Sequence, residues 1–188
     1  MIILGSQSPR RRELMAGLDI DFTAVTIDCD ESFPAELGGG DIPLYIAKQK
    51  AAAFHNRLQT DDLLVTADTI VWLNGEMLGK PHDTEDAKRM LKKLSGKTHQ
   101  VYTAVCLTKH DWQHEFVAKT DVTFACLTES EIDYYIEKYK PLDKAGAYGV
   151  QEWIGYVAVT RLEGSYFNVM GLPTEQLAEE LRKLGIGR

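Results

Sequence analysis

Between Leu63 and Val71 the chain runs Leu-Leu-Val-Thr-Ala-Asp-Thr-Ile-Val, an apolar, β-branched stretch with a single acid, Asp68, in its middle. Stiff, branched side chains suit a pleated surface, so this stretch predicts a buried strand. A carboxylate inside such a strand is costly unless it is paired, bound to a metal, or exposed where the strand end meets a cleft. Asn74-Gly75 follows, a dipeptide that tolerates positive φ and predicts a two-residue hairpin turn.

The rest of the chain alternates strand-like and helix-like segments. Ile2 to Leu4 reads as a short buried strand, after which Ser8 caps a helix with Pro9 at its first position. Phe22 to Ile27 is a second strand, and an amphipathic helix runs from about Ile42 to Leu58 after a glycine loop at Gly38–Gly40. Asp83 to Leu94 reads as a helix with Asp83 as N-cap, Ala87, Met90, Leu91 and Leu94 on one face, and Gly96 as its stop. Thr98 to Thr108 and Gln113 to Phe124 flank a polar turn and predict an antiparallel hairpin. Thr128 and Glu131 form a capping-box pattern ahead of a helix ending near Lys140-Pro141. A strand is expected from about Tyr156 to Leu162, and a last helix opened by Pro173 carries Leu177, Leu181 and Leu184 on one face. Interleaved strands and helices with hairpins among them imply an α/β chain with a mixed twisted sheet. We read residues 1–188 as one domain.

Composition narrows the function. The formal charge is −7 over 188 residues, which repels the backbone of a long nucleic acid while leaving room for a local basic pocket. Cys29, Cys106 and Cys126 are an odd set without CxxC spacing, fitting neither a disulfide framework nor a zinc knuckle and pointing to a reducing compartment. With no secretory apolar region and no long apolar run, we expect a cytoplasmic chain without a membrane partner.

Two constellations carry chemistry. Ser6-Gln7-Ser8-Pro9-Arg10-Arg11-Arg12 lies at a strand-to-helix junction, where free N–H groups, the positive end of the helix dipole and guanidinium forks suit phosphates. The arginines point about 100° apart, so at most two face one ligand. Asp68 is the second: with a nearby acid from Asp28, Asp30 or Glu31 it could hold a hard divalent cation or activate water. Lys50 sits on an amphipathic helix, and Lys80 in a turn from which it can reach a ligand. Asp143 to Gln151 combines small residues with amide and phenol groups suited to reading a base edge. Gly75 to Lys80 is one residue short of P-loop spacing, and Pro81 follows where Ser or Thr would stand. His110 and His114 flank a predicted hairpin turn with no ligand pattern around them.

Taken together, Ser6-Gln7-Ser8-Pro9-Arg10-Arg11, Ala67-Asp68-Thr69-Ile70-Val71, Gly79-Lys80-Pro81, Leu94-Ser95-Gly96 with His99, Asp143-Lys144-Ala145-Gly146-Ala147-Tyr148-Gly149, and Gly164-Ser165-Tyr166 with Gly171-Leu172-Pro173 closely resemble the Maf family of nucleoside triphosphate pyrophosphatases. The resemblance implies a mixed sheet flanked by helices, in two lobes around a cleft, related to inosine triphosphate pyrophosphatases. It implies hydrolysis between the α and β phosphates with a divalent metal, magnesium or manganese, and a homodimer. By match of motif, Asp68 is the proposed general base, Ser8, Arg10, Arg11, Lys50 and Lys80 surround the phosphates, and Glu31 lies with Asp68 near the metal. Arg10, Thr69 and Gln151 resemble the specificity positions of the branch that prefers dTTP and UTP. The alternatives are 7-methyl-GTP hydrolysis, or a nucleotide-binding regulator of cell division and septum formation without turnover. The residues leave open whether Asp68 acts as base or metal ligand. After Gln151, Glu152-Trp153 replaces the family's glycine-containing continuation, which implies a bulkier rim beside the base.

Overall fold

The computed structural model describes residues 1–187. Among them, seven strands form one mixed sheet: β1 (Ile2–Gly5), β2 (Thr23–Val25), β3 (Leu63–Leu73), β4 (Glu76–Leu78), β5 (Thr98–Thr108), β6 (Gln113–Phe124) and β7 (Val159–Glu163). The order is β2-β1-β3-β5-β6-β7, with β4 paired to β3 off that path. The helices are α1 (Pro9–Ala16), α2 (Asp41–Phe54), α3 (Thr84–Leu94), α4 (Glu129–Tyr139), α5 (Trp153–Ala158), α6 (Tyr166–Met170) and α7 (Thr174–Lys183). No helix among the described residues is long and apolar enough to cross a membrane.

The chain divides into two compact units, one of Met1–Thr69, Thr103–Ala118 and the segment from Gly171 onward, the other of Ile70–Tyr102 and Lys119–Met170. In the first, β1 pairs in parallel with β2 and with β3. Parallel strands need crossovers and cover on both faces, which α1 and α2 supply between them in sequence. Its core gathers Ile3, Leu64, Ala104 and Cys106 from the sheet with Ala47, Ala51, Phe54 and Leu58 from α2 and the turn after it. Gly5 closes β1, where a Cβ would stand 2.4 Å from Ile27 Cδ1 and 3.0 Å from Thr66 Cγ2.

The second unit is antiparallel at its ends. Asn74 and Gly75 have φ of 51° and 85° between β3 and β4, the twisted two-residue turn that the dipeptide predicts. α3 starts on Asp83, whose carboxylate accepts the N–H of Asp86, and α4 starts on a reciprocal Thr128–Glu131 capping box. The apolar face of α3 meets Tyr135, Ile132, Phe124 and Tyr148 in a second core.

The expected strand from Tyr156 is corrected by the structure. Trp153–Ala158 forms α5, and extended backbone begins only at Val159, where β7 pairs antiparallel with β6. Gly155 explains the difference: a Cβ there would lie 1.7 Å from the Val150 carbonyl oxygen, so the chain is coiled tightly back on itself at this point. Pro173 precedes α7 instead of occupying its first position.

His99, fully buried on β5, hydrogen-bonds through Nε2 to the Tyr148 hydroxyl at 2.6 Å and meets Phe124 edge-on. Burial pushes its imidazole down from 6.5 to about 4, against the pull of Asp121. The folded ring therefore resists a proton that the unfolded chain accepts. This contribution to stability is complete above the unfolded value and is lost as pH falls toward the folded one. Urea unfolding at several pH values should show the native protein losing up to about 3 kcal/mol between roughly pH 7 and 4 that a His99→Asn variant does not lose. Parallel pH curves for the two proteins would contradict it.

Candidate active site

The site is built within the first unit, beginning where β1 ends. Ser8 caps α1: its hydroxyl accepts the Arg11 N–H at 3.4 Å, and its own N–H donates to Ser6 Oγ at 3.2 Å. Pro9 follows at the first helical position, where a missing N–H costs nothing. No acid lies in the first turn, which holds Arg10, Arg11 and Arg12 instead. Cations at the positive end of a helix dipole are locally unfavourable, and an anion bound there would relieve them.

The three arginines part ways as their helical spacing requires. Arg12 is exposed and its Nε donates to the Ser6 carbonyl at 3.1 Å. Arg10 is half-buried. Arg11 is buried, and its guanidinium donates to the Gly171 carbonyl at 2.8 Å, to Ser6 Oγ at 3.2 Å and to Thr69 Oγ1 at 3.1 Å. Burial pulls its pKa down, with Arg10 acting in the same direction and Asp68 and Glu31 opposing. Every acceptor in this set is neutral, so Arg11 keeps a full positive charge in a withdrawn position.

Asp68 sits near the middle of β3, one residue before Thr69, and Lys50 reaches it from α2. Lys50 Nζ is 3.0 Å from Asp68 Oδ1 and 3.0 Å from Glu31 Oε1. The Lys50 and Asp68 side chains are only 12% and 14% exposed, whereas Glu31 is 54% exposed. The withdrawn pair is thus screened far less than a surface ion pair. Burial raises the Asp68 pKa, and the Lys50 and Arg11 charges pull it back down. A partly dehydrated carboxylate with a raised pKa is a stronger base than one in water.

Of the residues singled out in the sequence, the structure brings Ser8, Arg11, Glu31, Lys50, Asp68 and Thr69 into one linked set, with Arg10 on the same helix turn. Asp30 instead accepts from the Ser32 N–H and hydroxyl, closing its own loop. His114 pairs with Glu180 on α7 at 3.1 Å. The Cys29 thiol is pushed up by burial, with Glu31, Asp28 and Asp68 adding to that and Lys50 opposing, so it is a poor nucleophile. Lys80 and Gln151 belong to the second unit: Lys80 is exposed, and Gln151 Oε1 is buried with no hydrogen-bond partner among the described residues.

Two members escape sequence reasoning. Thr103 on β5 shares a 2.8 Å hydroxyl contact with Thr69, and the Gly171 carbonyl receives Arg11. A threonine in a β-branched strand carries no signal of its own, and a backbone carbonyl carries none at all. The Gly171-Leu172-Pro173 block was the only pointer, since φ of 122° at Gly171 is open to glycine and strained for other residues.

Which residues could hold a metal follows from donor chemistry. Glu31 and Asp68 are hard oxygen donors that already share one cation, the Lys50 ammonium. Among the described residues no group of three or more His, Cys, Asp or Glu forms a cage. Two oxygen donors of this kind suit magnesium or manganese, which take one or two carboxylates and complete their shell with phosphates and water.

The comparisons with known proteins agree with one another. A family model described as "Maf-like protein" matches residues 1–184. A Bacteroides thetaiotaomicron protein named dTTP/UTP pyrophosphatase is 57% identical over 184 residues, 97% of this chain and 95% of that one. Proteins of the same name from Phocaeicola vulgatus and Porphyromonas gingivalis are 58% identical over 184 residues and 53% over 188, covering 97% and 98% of this chain and 95% and 94% of theirs. The solved structure of the Staphylococcus aureus Ham1 protein aligns with a TM-score of 0.49 at 15% identity over 66% of this chain and 71% of that one, a likeness too weak to add to these.

Arg11 is expected to anchor the site as well as charge it. Replacing it by Met keeps bulk but strips donors from Gly171, Ser6 and Thr69, and should cost about 3 kcal/mol in urea unfolding. A loss within about 0.5 kcal/mol, the range of an ordinary surface change, would show that those bonds do not hold the fold.

Proposed function

This chain belongs to the Maf family, and we propose that it is a nucleoside triphosphate pyrophosphatase that hydrolyses dTTP and UTP to the monophosphate and pyrophosphate. One arrangement carries the reading: a dehydrated Asp68, held at 3.0 Å by Lys50, in the same set as the buried Arg11 of an acid-free helix N-terminus. Phosphoanhydride hydrolysis needs a base for water and fixed positive charge for the phosphates, and this set offers both.

In this reading Asp68 orients the attacking water and takes its proton. Its basicity comes from burial, while Lys50 keeps it ionised and ready to accept. Arg10 and Arg11, at the positive end of the α1 dipole, take the negative charge of the phosphates. At about 4 Å and an effective dielectric near 20, each such charge contributes on the order of 4 kcal/mol. Glu31 and Asp68 would hold a divalent cation, which when bound draws charge from the phosphate oxygens. Lys80 serves the phosphates as a flexible point charge.

Thr69 and Gln151 are assigned to the base. Uracil and thymine offer an imide N–H between two carbonyls, and a side-chain amide matches both: its oxygen accepts the N–H and its nitrogen donates to a carbonyl. Cytosine has an acceptor where the imide N–H would be, so a Gln151 amide held oxygen-first meets it lone pair to lone pair. Rejection of this kind is strong because a buried acceptor is left unpaired. We place the enzyme in the cytoplasm with its nucleotides, removing dTTP, UTP and modified pyrimidine relatives from the pool. We expect it to act as a homodimer, which gel filtration at two concentrations would check.

Pyrophosphate release should be measured for dTTP, UTP, CTP, 7-methyl-GTP and ITP, each with magnesium or manganese, for the native protein and Asp68→Asn. Selective release from dTTP and UTP, reduced at least about 100-fold by the substitution, is the expected result. Preference for 7-methyl-GTP would move the protein to the other branch, and tight binding without turnover would make it a nucleotide sensor. Near-native turnover by Asp68→Asn would remove its catalytic role.

A further inference from the structure

The second unit holds a buried polar cluster that the reaction does not use. Tyr135, on α4, lies under the turn that leads into α5. Its hydroxyl accepts the Gly149 N–H at 3.0 Å and donates to Glu152 Oε1 at 2.8 Å. Lys144 Nζ stands 3.6 Å from the same Glu152 oxygen and 2.9 Å from Asp143. Lys144 and Glu152 are 11% and 19% exposed, so this is a withdrawn network and not a solvated ion pair.

One phenol oxygen therefore ties down both flanks of the dipeptide Val150–Gln151. The Glu152 N–H also returns to the Gly149 carbonyl at 3.0 Å, closing the turn between those two anchors. Val150 packs into the apolar core. Gly149 leaves no slack: a Cβ there would fall 2.5 Å from Glu152 Oε1 and 3.0 Å from Lys144 Cε. With its backbone clamped on either side, Gln151 presents a buried amide oxygen that no described group satisfies. A buried acceptor kept in place without a partner is already positioned for a donor from outside the chain. A glycine at position 152 could not make this clamp, because the Tyr135 hydroxyl would lose its acceptor.

We propose that Glu152, acting through Tyr135, is a positioning residue that fixes Gln151 for the pyrimidine ring. The proposal rests on the dTTP/UTP reading above. Glu152 touches no reacting atom. Its effect belongs to ground-state binding of the base and should appear in KM, with kcat left near its native value.

The test is steady-state kinetics with dTTP, UTP and CTP on the native protein, Tyr135→Phe, Glu152→Ala and Glu152→Gln, with melting curves on each. Tyr135→Phe and Glu152→Ala should raise KM for dTTP and UTP about tenfold, leave kcat within about twofold, and lower the preference for UTP over CTP. Glu152→Gln should stay close to native, since its amide oxygen still accepts the phenol hydrogen. Tyr135→Phe removes a single oxygen and keeps the ring, so it decides the matter with Glu152→Gln should Glu152→Ala not fold. An unchanged KM with a lowered melting temperature, or a fall in kcat alone, would overturn the proposal and leave the pyrophosphatase reading standing. No turnover of dTTP or UTP by the native protein would overturn both.

Discussion

A carboxylate withdrawn into the middle of a strand sets the terms for the first unit. Desolvation alone would drive Asp68 toward its protonated form, in which it could neither hold a cation nor accept a proton from water. Lys50 and Arg11 oppose that, and both are carried by helices whose positions follow from the sheet. Leu4 and Gly5 of β1 stand in register with Val65 and Thr66 of β3, so the turn into α1 emerges close to where Asp68 follows along β3. α2 is held against the same strands, with the Thr66 hydroxyl donating to the Ala47 carbonyl at 2.8 Å, three residues before Lys50. The fold positions two cations around one acid, and the acid is useful only because both are there.

Arg11 shows how structure and chemistry share a side chain. Its fork satisfies a glycine carbonyl and two hydroxyls, none of which neutralises it. Exchanging those partners for carboxylates would make a more comfortable ion pair and a site with no attraction for phosphate. The same logic applies to the start of α1, where a helix optimised for stability would carry acids and this one carries arginines. Local disagreement of this kind between sequence and dipole is a mark of a binding surface.

Most of the fold was legible because its signals are local. Asp83, the Thr128–Glu131 pair, Asn74-Gly75 and the alternating stretches from Thr98 and Gln113 each specify a cap, turn or strand within a few residues, and the structure has each where expected. α5 and α6 were not legible. Trp153–Ala158 is short, has no side-chain cap, and contains Tyr156 and Val157, which favour strands; only the tight return of Gly155 onto Val150 reveals it. At the site, residue types marked Asp68, Arg11 and Lys50, but which acid would join Lys50 depended on how the loop after β2 folds. The structure selects Glu31, while Asp30 is spent on Ser32. The Thr69–Thr103 and Arg11–Gly171 bonds span 34 and 160 residues, distances over which no sequence pattern speaks.

Counting charges would have chosen the wrong surface. α3 and the turn after it bear Lys88, Arg89, Lys92, Lys93 and Lys97, lining a recess of about 610 Å³. Yet Lys88 pairs with Asp133, Arg89 with Asp86, Lys92 with Glu129 and Lys93 with Glu76, so the field of that face is largely cancelled at short range. The start of α1 has fewer cations and no acid in its first turn. Since exposed charges are screened beyond about 8–10 Å in ordinary salt, an overall charge of −7 does not exclude a triphosphate from such a place. What distinguishes an anion site in an acidic protein is a buried cation whose hydrogen-bond partners are all neutral, and Arg11 at the strand-to-helix junction after β1 meets that condition where the lysine-rich helix does not.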